Sequence, residues 1–289
     1  MTLGANAGSL EAAAGAFRHP VVLGILNVTR DSFSDGGRYL EADAALAHAR
    51  ELVRGGAHVV DIGAAASNPN AEGVSAEEEV ARLRPVVRTL KSERLAVSID
   101  SFAPAVQKWA IAQNVEYLND IHGFPAPELY PALADSDAKL IVMHAVQERG
   151  RATSVDVPPD AIVGRIVQFF ETRLSALEHA GVKRSRMILD PGMGLFLSST
   201  AETSFEVLRR IPELKSAFGL PVLISVSRKS FLRRTAGRNA ADAGHATLAA
   251  EIFAVLRGAD YIRTHDPAAL ADGLAVWAAA LTGNTTSGS

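Results

Sequence analysis

The sequence predicts a (β/α)8 (TIM) barrel with its active site at the C-terminal ends of the strands, and three observations carry that expectation. Eight short apolar runs alternate with eight helical segments in one unbroken series over the 289 residues. Most runs are β-branched and apolar without alternation, which is how a strand buried on both faces reads. Nearly every run ends in a polar or ionisable residue, and in a barrel those ends share one face, where the site is built. An open doubly wound sheet is the competing arrangement, and it usually has fewer strands. A single polar strand end is often only a helix N-cap. Seven or eight on one face exceed what capping explains.

The elements follow in order. The first strand spans Val21–Leu26 and stops at Asn27, and helical spacing resumes near 43–55. The second, His58–Ile62, carries Asp61 and leads to a helix near 77–91, where Glu79, Leu83 and Val86 keep helical spacing. Ala96–Ile99 ends at Asp100, before a helix near 104–113; Tyr117–Ile121 contains Asn119 and Asp120, before one near 127–135. Lys139–Met143 ends at His144, and Gly181 fits the C′ position of the following helix, near 160–181. Met187–Leu189 ends at Asp190, before a helix near 202–216. Val222–Val226 ends at Ser227, Arg228 and Lys229, before a helix near 244–257; Tyr261–Thr264, with Arg263, ends at His265, before one near 267–281.

This length suits one barrel, since such domains run to about 250 residues without dividing. No linker rich in Pro, Gly or Ser splits the chain, so the expected organisation is a barrel over 18–283 with loosely ordered tails at 1–17 and 284–289. Hydrophobic residues make up 48% of the chain, enough for a large core. A net charge of −3 and a pI near 6.3 argue against nucleic acid or an anionic membrane as the main partner. The absence of cysteine excludes disulfides and thiolate metal sites. No apolar stretch approaches the ~20 residues of a membrane span. Residues 1–17 lack the leading basic residue of a signal peptide, and Glu11 interrupts them. The expected location is the cytoplasm.

Three sets of residues carry chemistry. Asp61, Asp100, Asp120 and Asp190 follow apolar runs, so each must be hydrogen-bonded or paired. Either neighbouring backbone N–H groups satisfy them, or they accept N–H groups of a ligand, as a carboxylate does from a pyrimidinone edge. The second set is cationic: SVSRKSF (225–231) and YIRTHD (261–266) place Arg228, Lys229, Arg263 and His265 after the last two strands, the customary oxyanion site of barrels. The third is the loop after the first strand. Asn27 there suits a neutral oxygen ligand of Mg²⁺ shared with a polyphosphate. DSFSDGG (31–37), with Phe33, has the composition of a lid over a flat ring. Met143 and His144 are equally well read as the plain end of a strand. No G-x-x-x-x-G-K-[ST], strand-linked G-x-G-x-x-G or H-E-x-x-H motif is present, so mononucleotide, dinucleotide and resident transition-metal readings lack support.

GILNVTRDSFSDGG (24–37), SIDSF (98–102), LNDI (118–121), LIVMH (140–144), ILDPGMG (188–194), SVSRKSF (225–231) and IRTHD (262–266) resemble, in order, the signature segments of the dihydropteroate synthases, over about 21–281. That family is a (β/α)8 barrel. It joins 6-hydroxymethyl-7,8-dihydropterin diphosphate to 4-aminobenzoate, giving 7,8-dihydropteroate and pyrophosphate in folate synthesis. The resemblance implies that Asp100, Asn119, Met143, Asp190 and Lys229 hold the pterin. It implies that Asn27, Arg263 and His265 hold the diphosphate, with Asn27 as the protein's ligand to its Mg²⁺. Phe33, Ser67, Pro69, Leu195, Phe196, Arg228 and Ser230 would surround the aminobenzoate. The family reaction is dissociative, so Asp100, Lys229, Arg263 and His265 would act electrostatically and no side chain would serve as nucleophile.

Two loops depart from the usual family pattern. SNPNAEG (67–73) has Asn68 where S-T-R-P-G carries a cation, and DPGMGLFLSSTAETS (190–204) lacks the lysine of a G-F-G-K stretch and carries Leu195–Phe196–Leu197 instead. With LNDIHGFP (118–125), these resemble the sulfonamide-resistant Sul-type synthases, although the position of Leu195 is usually phenylalanine there. Sulfonamides would then be weak competitors, rejected by bulk that spares the smaller substrate. The same bulk packed inward would be only a different loop conformation. The resemblance further implies a homodimer, and the Ala-rich helices near 244–257 and 267–281 suit either a subunit contact or packing on the barrel. A pterin-binding methyltransferase barrel or a non-catalytic pterin-binding protein is the alternative, and neither has use for a diphosphate site.

Overall fold

All eight apolar runs become parallel strands: β1 (Val21–Asn27), β2 (Val59–Gly63), β3 (Ala96–Asp100), β4 (Tyr117–Asp120), β5 (Lys139–Met143), β6 (Met187–Asp190), β7 (Leu223–Ile224) and β8 (Tyr261–Thr264). This is a computed structural model, and it describes residues 18–28, 38–65, 74–146, 156–239 and 242–282. The strand order is β6-β5-β4-β3-β2-β1-β8-β7, and a parallel bridge between Leu189 and Val222 joins the two ends. The sheet is therefore a barrel, not an open doubly wound sheet. β7 is shorter than the run 222–226 suggests. The N–H of Val222 donates to the Asp260 carboxylate at 2.9 Å, and the carbonyl of Val226 already accepts the turn N–H of Lys229 at 3.1 Å.

Helices α1 (Arg38–Arg54), α2 (Ala76–Ser92), α3 (Pro104–Ala112), α4 (Tyr130–Asp135), α5 (Pro159–His179), α6 (Ala201–Arg209), α7 (Ile211–Phe218), α8 (Ser230–Ala236), α9 (Gly244–Leu256) and α10 (Pro267–Thr282) surround it. The helix expected over 202–216 is two, because Pro212 lacks the N–H that would continue the first; it sits at the start of α7, where none is needed. Similarly, 127–135 begins as a 3-10 turn over Pro127–Leu129 before α4. The short α8, directly after Lys229, lies inside a segment read as a loop. In α2 the spacing holds: Glu79, Leu83 and Val86 are all buried. Gly181, at φ +94°, follows the C-cap residue Ala180, as a C′ glycine should.

The strands are buried on both faces, and their two-residue period decides what reaches the interior. Val60, Ile62, Leu118, Leu140, Val142, Leu189 and Ile262 point outward into the core shared with the helices. Leu23, Val59, Tyr117, Ile141, Ile188, Leu223 and Tyr261 point inward and form a separate cluster that fills the lower barrel. Two residues further along five of these strands, the same inward direction delivers Asp61, Asn119, Met143, Asp190 and Arg263. Packed apolar side chains are thus the floor, and polar ones the next layer up. No helix among the described residues is long and apolar enough to cross a membrane. On α9 and α10, Phe253, Leu256 and Val276 remain exposed.

Candidate active site

Arg263 is the centre of the polar layer. Its Nε donates to Oδ2 of Asp61 at 2.5 Å and its Nη2 to Oδ2 of Asp100 at 2.6 Å. The Asp61 side chain has no exposed surface, whereas that of Asp100 is 23% exposed. Only Asp100 can therefore meet a ligand. Burial raises the Asp100 carboxyl above the usual carboxylate range; Arg263 opposes that shift and the Asp61 charge adds to it. In the sequence Asp61 is one of four strand-end aspartates and carries no assigned role at the site. Its inward place two residues beyond Val59 was the available signal.

Asn119 lies next to this pair, with Nδ2 at 3.4 Å from Asp61 Oδ2. Its Oδ1 and the second oxygen of Asp61 are both buried without a hydrogen-bond partner. Buried orphan acceptors cost stability, and they are normally accounted for by an absent ligand or water. Asp190, opposite Met143 in the β5–β6 register, accepts the Gly192 N–H at 2.8 Å. Burial raises its pKa to about 6, against the pull of the Gly192 N–H and Lys229. Lys229 places its Nζ 4.8 Å above the Phe196 ring. Burial lowers the ammonium to about 8, with the Arg263 charge adding to the shift.

Asp120 takes the structural reading of a strand-end aspartate. It points outward, where Oδ2 accepts from Gln107 of α3 and Oδ1 from the His122 backbone, both at 2.8 Å. His265 also differs from a simple cation. Its ring Nδ1 is 2.9 Å from Ser227 Oγ, and Ser227 Oγ accepts the His265 backbone N–H at 3.1 Å. The serine hydroxyl can donate to Nδ1, and in that tautomer the imidazole N–H sits on Nε2 as a donor. Burial, reinforced by Arg228 and Arg263, holds its pKa down at about 3, so this ring is a neutral donor.

The other expected residues are spread around the rim. Asn27 is exposed at the end of β1. Arg228 is exposed, adopts φ +58°, and lines a cavity of about 560 Å³ together with Ser227, His245 and Glu251. Ser230 opens α8. Phe196, 8% exposed, packs with Ile121 and Met143, and Leu195 rests partly buried against them. Phe33, Ser67 and Pro69 lie outside the described residues. Among the described residues, no cluster of three or more His, Cys, Asp or Glu could hold a metal ion.

Residues 23–265 match the family described as pterin binding enzyme. The chain is 55% identical over 259 residues to the type-2 dihydropteroate synthase of Escherichia coli, covering 90% of this chain and 95% of that one. It is 51% identical over 247 residues to the type-1 enzyme of Pseudomonas aeruginosa, covering 85% and 88%. Its fold is similar to that of the Xanthomonas albilineans dihydropteroate synthase with 4-aminobenzoic acid, with a TM-score of 0.82, 36% identity and coverage of 91% and 93%. The Burkholderia cenocepacia enzyme complexed with 7,8-dihydropteroate gives a TM-score of 0.81 at 33% identity, covering 92% and 93%. An inward polar layer of Asp100, Asn119, Asp190, Lys229 and Arg263 on a barrel floor, with likeness along nine-tenths of the chain, places this protein in the dihydropteroate synthase family of pterin-binding transferases.

Proposed function

We propose that this dihydropteroate synthase works by a dissociative route, as a cytoplasmic homodimer with reduced sensitivity to sulfonamides. The observation that carries the substrate reading is the orphaned carbonyl of Asn119, in the same inward layer as the carboxylates of Asp100 and Asp190, with the Lys229 cation close enough to act on both. A pterin edge offers the ring N–H and exocyclic amine those acceptors lack, and its carbonyl suits the ammonium.

Bond breaking follows from the charges. The C–O bond of the pterin methylene to diphosphate breaks, and the electron pair leaves with the diphosphate. The Nε2–H of His265 and the guanidinium N–H groups of Arg263 not used by Asp61 and Asp100 would bind that leaving group. Asn27 supplies a single neutral oxygen, which fits a Mg²⁺ ion arriving with the diphosphate rather than one held by protein ligands alone. When bound, that ion would neutralise charge on the leaving oxygens. The carboxylate of Asp100 would favour the cation left on the methylene and ring, and the neutral aromatic amine then attacks that carbon and loses a proton.

The aminobenzoate would lie outside the pterin, between Ser230, Arg228 and the loop bearing Leu195. Phe196 is occupied beneath Lys229, so Leu195 is the side chain left to obstruct a sulfonamide extension. The exposed Phe253, Leu256 and Val276 support the dimer, which sedimentation would test.

The test is to mix the pterin diphosphate, 4-aminobenzoate and Mg²⁺ with the protein. Dihydropteroate and pyrophosphate in equal amounts are expected. Pterin binding without pyrophosphate release would favour a mere binding protein, and an accumulating covalent enzyme–pterin adduct would overturn the dissociative route.

A further inference from the structure

We propose that His144 is a positioning residue for the pterin subsite, acting on Asp190 through the carbonyl of Pro191. The inference rests on the pterin reading above only for its kinetic arm.

His144 directly follows β5 and is 3% exposed. Its backbone N–H donates to the Asp190 carbonyl at 2.8 Å, continuing the β5–β6 ladder one residue past the end of β5. Its ring Nδ1 lies 3.1 Å from the Pro191 carbonyl oxygen. A carbonyl can only accept, so the Nδ1 carries the proton and donates. Its own carbonyl faces Gly192 so closely that a Cβ there would lie 2.4 Å from it. One residue thus bonds Asp190 and Pro191 and lies closely against Gly192. The last of these donates to the Asp190 carboxylate. Two residues further, Val146 donates to the Phe196 carbonyl at 2.9 Å, so the same segment anchors the far end of the loop beneath Lys229.

The ring is itself held. Phe169 of α5 meets it edge-on, with centroids 5.3 Å apart, and Arg173 sits 5.6 Å from the Phe169 centroid. Burial keeps the imidazole neutral, with a pKa of about 4, the Pro191 carbonyl opposing that shift and Arg165 of α5 adding to it. The single proton therefore stays where the Pro191 bond needs it across the physiological range.

The experiment compares His144→Leu, which removes the donor, with His144→Asn, whose amide nitrogen can take the place of Nδ1. Loss of one buried hydrogen bond to a loop carbonyl predicts a roughly tenfold rise in KM for the pterin diphosphate in the leucine variant, with kcat changed about threefold or less. The asparagine variant should restore KM to within about twofold. Amide exchange at Gly192 should quicken in the leucine variant and not in the asparagine one, which is read without any activity. An unchanged KM and unchanged Gly192 exchange in a folded leucine variant would overturn the inference. So would an asparagine variant that behaves like leucine. Altered exchange in a protein whose wild type releases no pyrophosphate would instead locate the failure in the functional reading.

Discussion

Asp61 and Arg263, contributed by strands β2 and β8, form an ion pair of 2.5 Å in which the carboxylate has no exposed surface and the guanidinium only 15%. Asp61 sits beneath the surface a ligand would touch, so it acts on substrate only by aiming Arg263. Removing Asp61 leaves the buried Arg263 with Asp100 as its remaining carboxylate partner, so the cost is at most that of a fully broken buried pair, about 3–5 kcal/mol. Asp61→Ala should therefore lower the melting temperature by several degrees and reduce kcat/KM by about tenfold or more. Asp61→Asn, which can still accept from Nε, should lose less of both. Thermal melts and steady-state kinetics of the two variants decide this; unchanged kcat/KM in a folded Asp61→Ala protein would show that Arg263 needs no such support.

Pterin affinity should peak between two titrations. Lys229 is lowered to about 8 by burial, so the cation that meets the pterin is present below that pH and is lost as pH rises through it. Asp190 is raised to about 6 and Asp100 to about 7, so these acceptor carboxylates are present above those pH values and are lost as pH falls through them. Fluorescence titration of a pterin ligand from pH 5 to 9.5 should give a bell. Lys229→Arg, whose guanidinium keeps its charge throughout, should remove the alkaline limb and leave the acid limb. A bell unaltered by that change would assign the alkaline limb to another group.

The two bulky loop residues should separate by function. Leu195 is only partly buried, whereas Phe196 is covered by Lys229 and packs on Met143. Leu195→Gly should strengthen sulfamethoxazole inhibition with little change in KM for either substrate. Phe196→Gly should raise KM for the pterin diphosphate as well, because it removes the ring under the ammonium, a contact worth roughly 0.5–2 kcal/mol. Inhibition constants for both variants are the measurement. Strong inhibition of the unaltered protein would end the resistance reading at once.

The barrel was legible because its signal is redundant: apolar runs without alternation recur along the chain, and each misplaced boundary leaves the topology intact. The site was legible in its residue types but less so in their directions. Asp100 and Asp120 look alike in sequence, yet one faces the barrel interior and the other bonds Gln107 of α3. That difference is a single step of strand period, set by register against neighbouring strands. His265 reads as a cation from its company of Arg228, Lys229 and Arg263, and the same company, with burial, makes it neutral. The break between α6 and α7 is hidden because a proline two residues into a helix reads as an interruption or a start with equal ease.

Gly192 offers the severest backbone test of the site. It holds φ at +75°, and a Cβ built on it would lie 2.4 Å from the His144 carbonyl oxygen, well inside any real contact. The backbone conformation alone disfavours an L-residue by about 1–2 kcal/mol, and the clash is with backbone, which cannot swing aside. Gly192→Ala must therefore move the loop off the end of β5, and the Gly192 N–H that holds the Asp190 carboxylate moves with it. The expected outcome is a melting temperature lowered by several degrees and a pterin KM raised about tenfold or more, with the KM for 4-aminobenzoate less affected. Gly219→Ala gives the control: it has a similar φ of +62° and no atom within 4 Å of its added Cβ, far from the site at the end of α7. If the two variants lose the same stability and neither changes KM, the close approach to His144 has no role in holding Asp190.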